Sequence, residues 1–168
     1  IDIATGKDTV LTTDLKWDVD TFAMSDDDRL LAYVVDEDGF SNVVVRDMVT
    51  GRALPQPQLP RGVLQNIEFS PDKSKLAFDL STATSAGDVW TWEVPGGNLA
   101  RWTTSELGGL DPAKLAEPQL IRFRSFDGLS VPALVYRPVG VAPDHRTPVI
   151  MDIHGGPESQ SRPAWNVG

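Results

Sequence analysis

Two segments of the chain carry the same pattern of apolar and polar positions, 45 residues apart. "MSDDDRLLAYVV" (Met24–Val35) aligns with "FSPDKSKLAFDL" (Phe69–Leu80), matching Ser25 to Ser70, Asp27 to Asp72, Leu31 to Leu76, Ala32 to Ala77 and Tyr33 to Phe78. Gly6, Gly51 and Gly96 keep the same spacing and close the similar phrases "DIATG", "DMVTG" and "WEVPG". A repeat of this length, with several short apolar runs per unit, is the pattern of propeller blades. The second unit reads as four strands, near Gln65–Phe69, Lys75–Leu80, Asp88–Glu93 and Leu99–Thr103. Its "VWTWEV" alternates as a half-buried strand does, and "SPDKS" and "PGGN" supply turn residues. The preceding unit runs from about Asp18 to Leu54, and residues 1–13 read as the tail of another.

The pattern changes near Glu106–Pro118. "LGGLDPAKLAEP" is rich in Gly and Pro, and "DPAKL" predicts a single helical turn capped by Asp111 with Pro112 at its first position. "QLIRFRSFDGLSVPALVYRP" then predicts a hairpin, its second strand Val131–Tyr136, with Asp127–Gly128 as a turn signal. "TPVIMDIHGG" reads as a third strand, more continuously apolar, as a buried strand is. The fold class expected is therefore mainly β: about two and a half four-stranded blades of a partial β-propeller over residues 1–107, a linker at 108–118, and a second domain beginning at 119–168.

Composition narrows the chemistry. The chain of 168 residues has no cysteine, which excludes disulfides, thiolate nucleophiles and cysteine-ligated zinc. It has no apolar run of about 18 residues, so no membrane span is expected. "IDIATGKD" lacks the basic-then-apolar order of a signal peptide and, without an initiator Met, reads as a cut end. The net charge of −9 disfavours a nucleic-acid partner. That charge is uneven: residues 1–118 carry −10 and residues 119–168 carry +1, which predicts two regions with different surfaces. The acidic phrases "DVD", "SDDD" and "DEDG" lack the spacing of a calcium loop and read as solvated turn residues.

The ordered combination of a propeller repeat, a Pro/Gly linker, "SFDGLSVPALVYRP" and "PVIMDIHGGPESQSRPAWN" resembles the prolyl oligopeptidase family of serine peptidases. "HGGP" is most similar to the acylaminoacyl-peptidase and dipeptidyl-aminopeptidase-like branch. One departure is that "SPDKSK" lacks the glycine that often follows "SPD" in such repeats, which is expected to affect the turn type. The resemblance implies that the second region begins an α/β-hydrolase domain, and that the loop after its third strand supplies an oxyanion-hole N–H. The matching position is Gly156, with Gly155 permitting the tight path. Such a donor stabilises a tetrahedral oxyanion by about 3 kcal/mol. A plain Gly–Gly turn is the structural alternative.

His154 is not expected to be the catalytic base, since the resemblance puts that histidine last in chain order; it shapes the loop instead. His145 is expected in an exposed loop, and the two histidines make a poor metal site. No cofactor or metal is expected.

The chain holds no Gly-x-Ser-x-Gly, and neither Ser159 nor Ser161 has flanking glycines. The triad is therefore expected outside these residues, and the chain alone is expected to be inactive. The resemblance implies a short peptide as substrate, with the propeller gating access. Either the missing remainder of the peptidase or self-association is expected to cover the open blades. The alternative is a non-catalytic propeller-type binding module with a vestigial hydrolase segment. An ordinary esterase with an "HGG" loop would leave the 45-residue repeat unexplained.

Overall fold

The computed structural model describes residues 1–142, 144–156 and 158–165. Their secondary structure is almost entirely antiparallel β. Strands β1 (Asp18–Met24), β2 (Leu30–Glu37) and β3 (Phe40–Asp47) form one sheet in that order. Strands β4 (Val63–Phe69), β5 (Lys75–Thr82), β6 (Ser85–Glu93) and β7 (Leu99–Arg101) form a second. A two-stranded sheet of β8 (Pro118–Arg124) and β9 (Ser130–Tyr136) completes the list.

The serine–aspartate turn of the repeat read from the sequence recurs with matching hydrogen bonds in both units. Ser25 Oγ donates to Asp27 Oδ1 at 2.8 Å and accepts from Leu30 N at 2.9 Å. Ser70 Oγ, 45 positions later, donates to Asp72 Oδ1 at 2.6 Å and accepts from Lys75 N at 3.0 Å. The three spaced glycines share one conformation, with φ of 69° at Gly6, 70° at Gly51 and 73° at Gly96, the left-handed region that glycine enters at least cost. Where "SPD" lacks its following glycine, the chain still takes the left-handed conformation. Lys73 takes φ 62° and Asp28, its counterpart, φ 57°. Both turns keep their geometry and tolerate a side chain where glycine would be relaxed.

The apolar residues of the two sheets meet in one core. Ala32, Val34, Val43 and Val45 of the first sheet pack with Leu64, Leu76, Phe78 and Trp92 of the second. Strand β2 is buried on both faces, because Leu31, Tyr33 and Val35 form a second cluster with Leu15, Val44 and Met48. Two blades stacked face to face bury alternate residues of each strand in this way.

Three expectations are corrected. The first unit has three strands, not four; its fourth is reduced to one bridge between Arg46 and Ala53. Pro55, Pro57 and Pro60 follow at once, and proline has no N–H to extend a ladder. Residues 1–13 keep the turn around Gly6, where Gly6 N donates to Asp2 O at 2.8 Å, but form no strand. The run 147–153 also forms no strand. A strand needs a neighbour's N–H and C=O groups, and β8 and β9 pair only with each other. Val149, Ile150, Met151 and Ile153 are left exposed at 85%, 95%, 79% and 77%.

The linker turn forms as the sequence predicts. Pro112–Lys114 is a single 3-10 turn whose N-cap, Asp111, accepts from Ala113 N at 3.0 Å. The β8–β9 hairpin reverses over Ser125–Leu129, where Gly128 N donates to Ser125 O at 3.0 Å.

Candidate functional site: the junction between the blades and the C-terminal segment

The glycine pair after the apolar run is exposed. Gly156 has φ 77°, and nothing lies within 4 Å of where a Cβ would stand on Gly155 or Gly156. His154 is also exposed, its Nδ1 3.3 Å from Gly155 O. The last residue of "HGGP", Pro157, lies outside the described residues. His145 is exposed, in a separate turn. Among the described residues there is no group of three His, Asp or Glu side chains placed to hold a metal.

A few residues later the chain returns to the first blade. The Gln160 amide donates to Asp36 Oδ2. Arg162 uses all three guanidinium nitrogens: Nε donates to Gly39 O at 3.1 Å, Nη2 to Ser41 Oγ at 3.2 Å and Nη1 to Asp20 Oδ2 at 2.7 Å. Pro163 is fully buried, and Trp165 N donates to Ser81 Oγ at 3.0 Å on the second blade. A second arginine approaches the same turn from β8, where Arg122 donates to both carboxylate oxygens of Asp38.

The acidic phrases are therefore not merely solvated. Asp36 is 7% exposed and caps its own turn by accepting from Gly39 N at 2.9 Å. Asp20, Asp36 and Asp38 receive cations from the C-terminal part of the chain, and Asp27 receives Lys73 from the next blade. The sequence reading missed Gln160, Arg122 and Arg162. Its one signal was the charge imbalance between residues 1–118 and 119–168, which becomes a set of pairs across the two parts.

Two hollows flank this junction. One of about 290 Å³ lies between the β2–β3 turn, the proline-rich stretch and β8, lined by Asp38, Phe40, Pro57, Arg61 and Leu120. The Arg61 guanidinium stacks 4.0 Å from the Phe40 ring centre within it. Another of about 500 Å³ lies between β5, β6 and the linker, lined by Leu80, Trp90, Arg101 and Leu110. Neither includes Gly155 or Gly156.

Beside the second hollow, the Asp88 side chain is fully enclosed. Burial pushes its carboxyl up, but hydrogen bonds from Ser85, the Ser105 amide, Thr103 and Arg101 outweigh this and lower it to about 2. Every partner is structural, and the group is tied into the blade.

The fold decides the comparison with known proteins. In fold, the chain matches part of prolyl oligopeptidase structures. A structure from a study of two prolyl endopeptidases superposes with a TM-score of 0.62 at 19% identity, covering 77% of this chain and 19% of that one. Prolyl oligopeptidase B from Galerina marginata, bound to a 25mer macrocyclization substrate, superposes with a TM-score of 0.57 at 14% identity, covering 69% of this chain and 16% of that one. The same enzyme bound to a 35mer hydrolysis and macrocyclization substrate gives 0.55 at 14% identity. The chain thus spans less than a fifth of the length of these structures. The 77% match is longer than the whole segment before Pro118, so the likeness reaches into the C-terminal part as well as the blades. No family model matches the chain, and no curated protein matches it.

Proposed function

We propose that this chain is the junction of a serine peptidase of the prolyl oligopeptidase kind, in the acylaminoacyl-peptidase and dipeptidyl-aminopeptidase-like branch. Residues 1–107 are the last blades of its propeller, 108–118 the linker, and 119–168 the start of its α/β-hydrolase domain. Cleavage of a short peptide by acyl transfer needs a nucleophile, a base and donors for the oxyanion. This chain contributes one of that set, the backbone N–H of Gly156. Gly155 gives the loop its path, and His154 shapes it without acting as base. The nucleophile, the acid and the base come from the remainder of the peptidase, and the propeller gates access of the peptide.

The observation that carries this reading is the seating of Gln160–Trp165 on the blades directly after the glycine pair. It supports a loop held at the edge of a propeller, where a gated peptide would arrive. The full-length protein is expected to hydrolyse short chromogenic peptides and to be labelled by a serine-directed phosphonate, while the 168-residue chain does neither. A full-length protein with no turnover and no labelling overturns the reading. It would favour the alternative, a non-catalytic propeller-type binding module with a vestigial hydrolase segment.

A further inference from the structure

The β2–β3 turn is shaped to receive an arginine. Asp36 lies near the end of β2 and Ser41 near the start of β3, and Asp20 on β1 completes the opening. Gly39, with φ 84°, lets the chain come close: a Cβ there would stand 3.3 Å from Ser161 O and 3.6 Å from Pro163 Cδ. Into this opening Arg162 sends a side chain that bonds to a carboxylate, a hydroxyl and a backbone carbonyl, so that one residue ties β1, the turn and β3 together. Asp36 Oδ2 lies 3.7 Å from Arg162 Nη1 and is bonded by Gln160. The other acids of the turn are occupied elsewhere, Asp38 by Arg122 and Glu37 by Asn42 Nδ2 at 2.7 Å. A planar guanidinium with donors in fixed directions fits this three-way demand better than an ammonium does.

We propose that Arg162 is a positioning residue that anchors the segment after Gly155–Gly156 to the first blade and so sets where that loop lies. Arg162 is six residues beyond Gly156, and six extended residues reach at most about 20 Å. The anchor therefore limits how far the loop can stand from the blade edge. Its effect on turnover rests on the reading of Gly156 as an oxyanion donor; its effect on the docking of Gln160–Trp165 does not.

The test is made on the full-length protein. Hydrogen–deuterium exchange is followed in peptides covering 158–165, with β5 and β6 as the internal reference. R162Q is expected to raise exchange in 158–165 by about 10- to 100-fold, the factor for losing hydrogen bonds to a charged group. R162K recovers part of the protection, and R122Q, which breaks the neighbouring pair, leaves 158–165 protected. D20N takes the charge from one of the three contacts and gives a smaller rise, so it decides the matter if R162Q does not fold. Unchanged exchange of 158–165 in R162Q, or in D20N where R162Q is unfolded, overturns the anchor.

On peptide turnover, R162Q is expected to lower kcat at least about tenfold with KM nearly constant, and R162K to restore part of it, because a displaced donor weakens the transition state alone. A raised KM with unchanged kcat overturns the positioning role. Absence of turnover in the unaltered protein removes the peptidase reading, and the exchange measurement still decides the anchor.

Discussion

Lys73 Nζ lies 2.6 Å from Asp27 Oδ2, joining the same turn in two successive repeats. Asp27 sits in the first repeat's "SDDD" turn and Lys73 in the second repeat's "SPDKS" turn, so a cross-blade pair grows directly out of the 45-residue spacing. Hydrogen bonds from Lys73 and then Ser25 hold the Asp27 carboxyl down, at about 2. In K73M the carboxyl of Asp27 is expected to titrate nearer the ordinary carboxylate range, as read by carboxyl-carbon NMR. An unmoved titration would show that Ser25 and the turn amides set it instead.

Asp88 predicts acid sensitivity. Its carboxyl is held at about 2 when folded, against the ordinary 3.8 of an exposed carboxylate. The folded value is the lower one, so its contribution to stability is complete above pH about 5 and is lost as pH falls toward 2. D88N should destabilise the blade by about 3 kcal/mol at neutral pH, because it removes the charge that faces Arg101 and turns one of the two accepting oxygens into an N–H donor, so that either Arg101 and Ser85 or Thr103 and the Ser105 amide lose their acceptor. It should also flatten the loss of stability between pH 5 and pH 2. Denaturant unfolding across that range, on the full-length protein, checks both.

The left-handed turn residue of the first repeat predicts a stabilising change. Asp28 holds φ 57° without making the bonds that Asp27 makes. D28G should relieve the strain of a side chain in that region and stabilise by about 0.5–1 kcal/mol after glycine's greater unfolded-state entropy. A lower melting temperature for D28G would show that the aspartate side chain contributes more than its backbone costs.

Gly156 predicts unequal losses for two substitutions. At φ 77°, alanine is strained but keeps its N–H, whereas proline cannot adopt the angle and has no N–H. In the full-length protein, G156P should lower kcat by about 10²–10³-fold and G156A by far less. Equal losses in the two would assign the effect to loop shape and remove Gly156 from the oxyanion hole.

The isolated 168-residue chain is expected to self-associate. Phe22 on β1, and Val149, Ile150, Met151 and Ile153 in the unpaired run, are all at least 70% exposed. Apolar runs and open strand edges of this kind pair with other chains. Sedimentation checks this; a compact monomer that binds no exposed-surface dye would show that these faces are covered within the chain.

The local features of the blades were legible because they depend on near neighbours in the chain. Turns such as Ser25–Asp27 and Ser70–Asp72 close within a few residues, so residue type and spacing specify them. The same holds for the Asp111 cap and for the β8–β9 hairpin. The fourth strand of the first repeat and the run 147–153 were misread for a shared reason. An apolar sequence shows that a segment suits a strand, but pairing depends on what lies beside it. Three prolines stop the one, and the other has no partner among the described residues.

The sequence by itself determined the repeat, its period, the turns that close it and the alternation that makes its strands, since each is written in contacts a few residues apart. Tertiary structure alone decided which charges meet. Asp20, Asp36 and Asp38 look like any acidic turn residues until the chain brings Arg122 and Arg162 to them from 84 to 142 positions away. Pairing over such distances depends on how the chain folds back, because Coulomb attraction acts through space and composition alone fixes no partner.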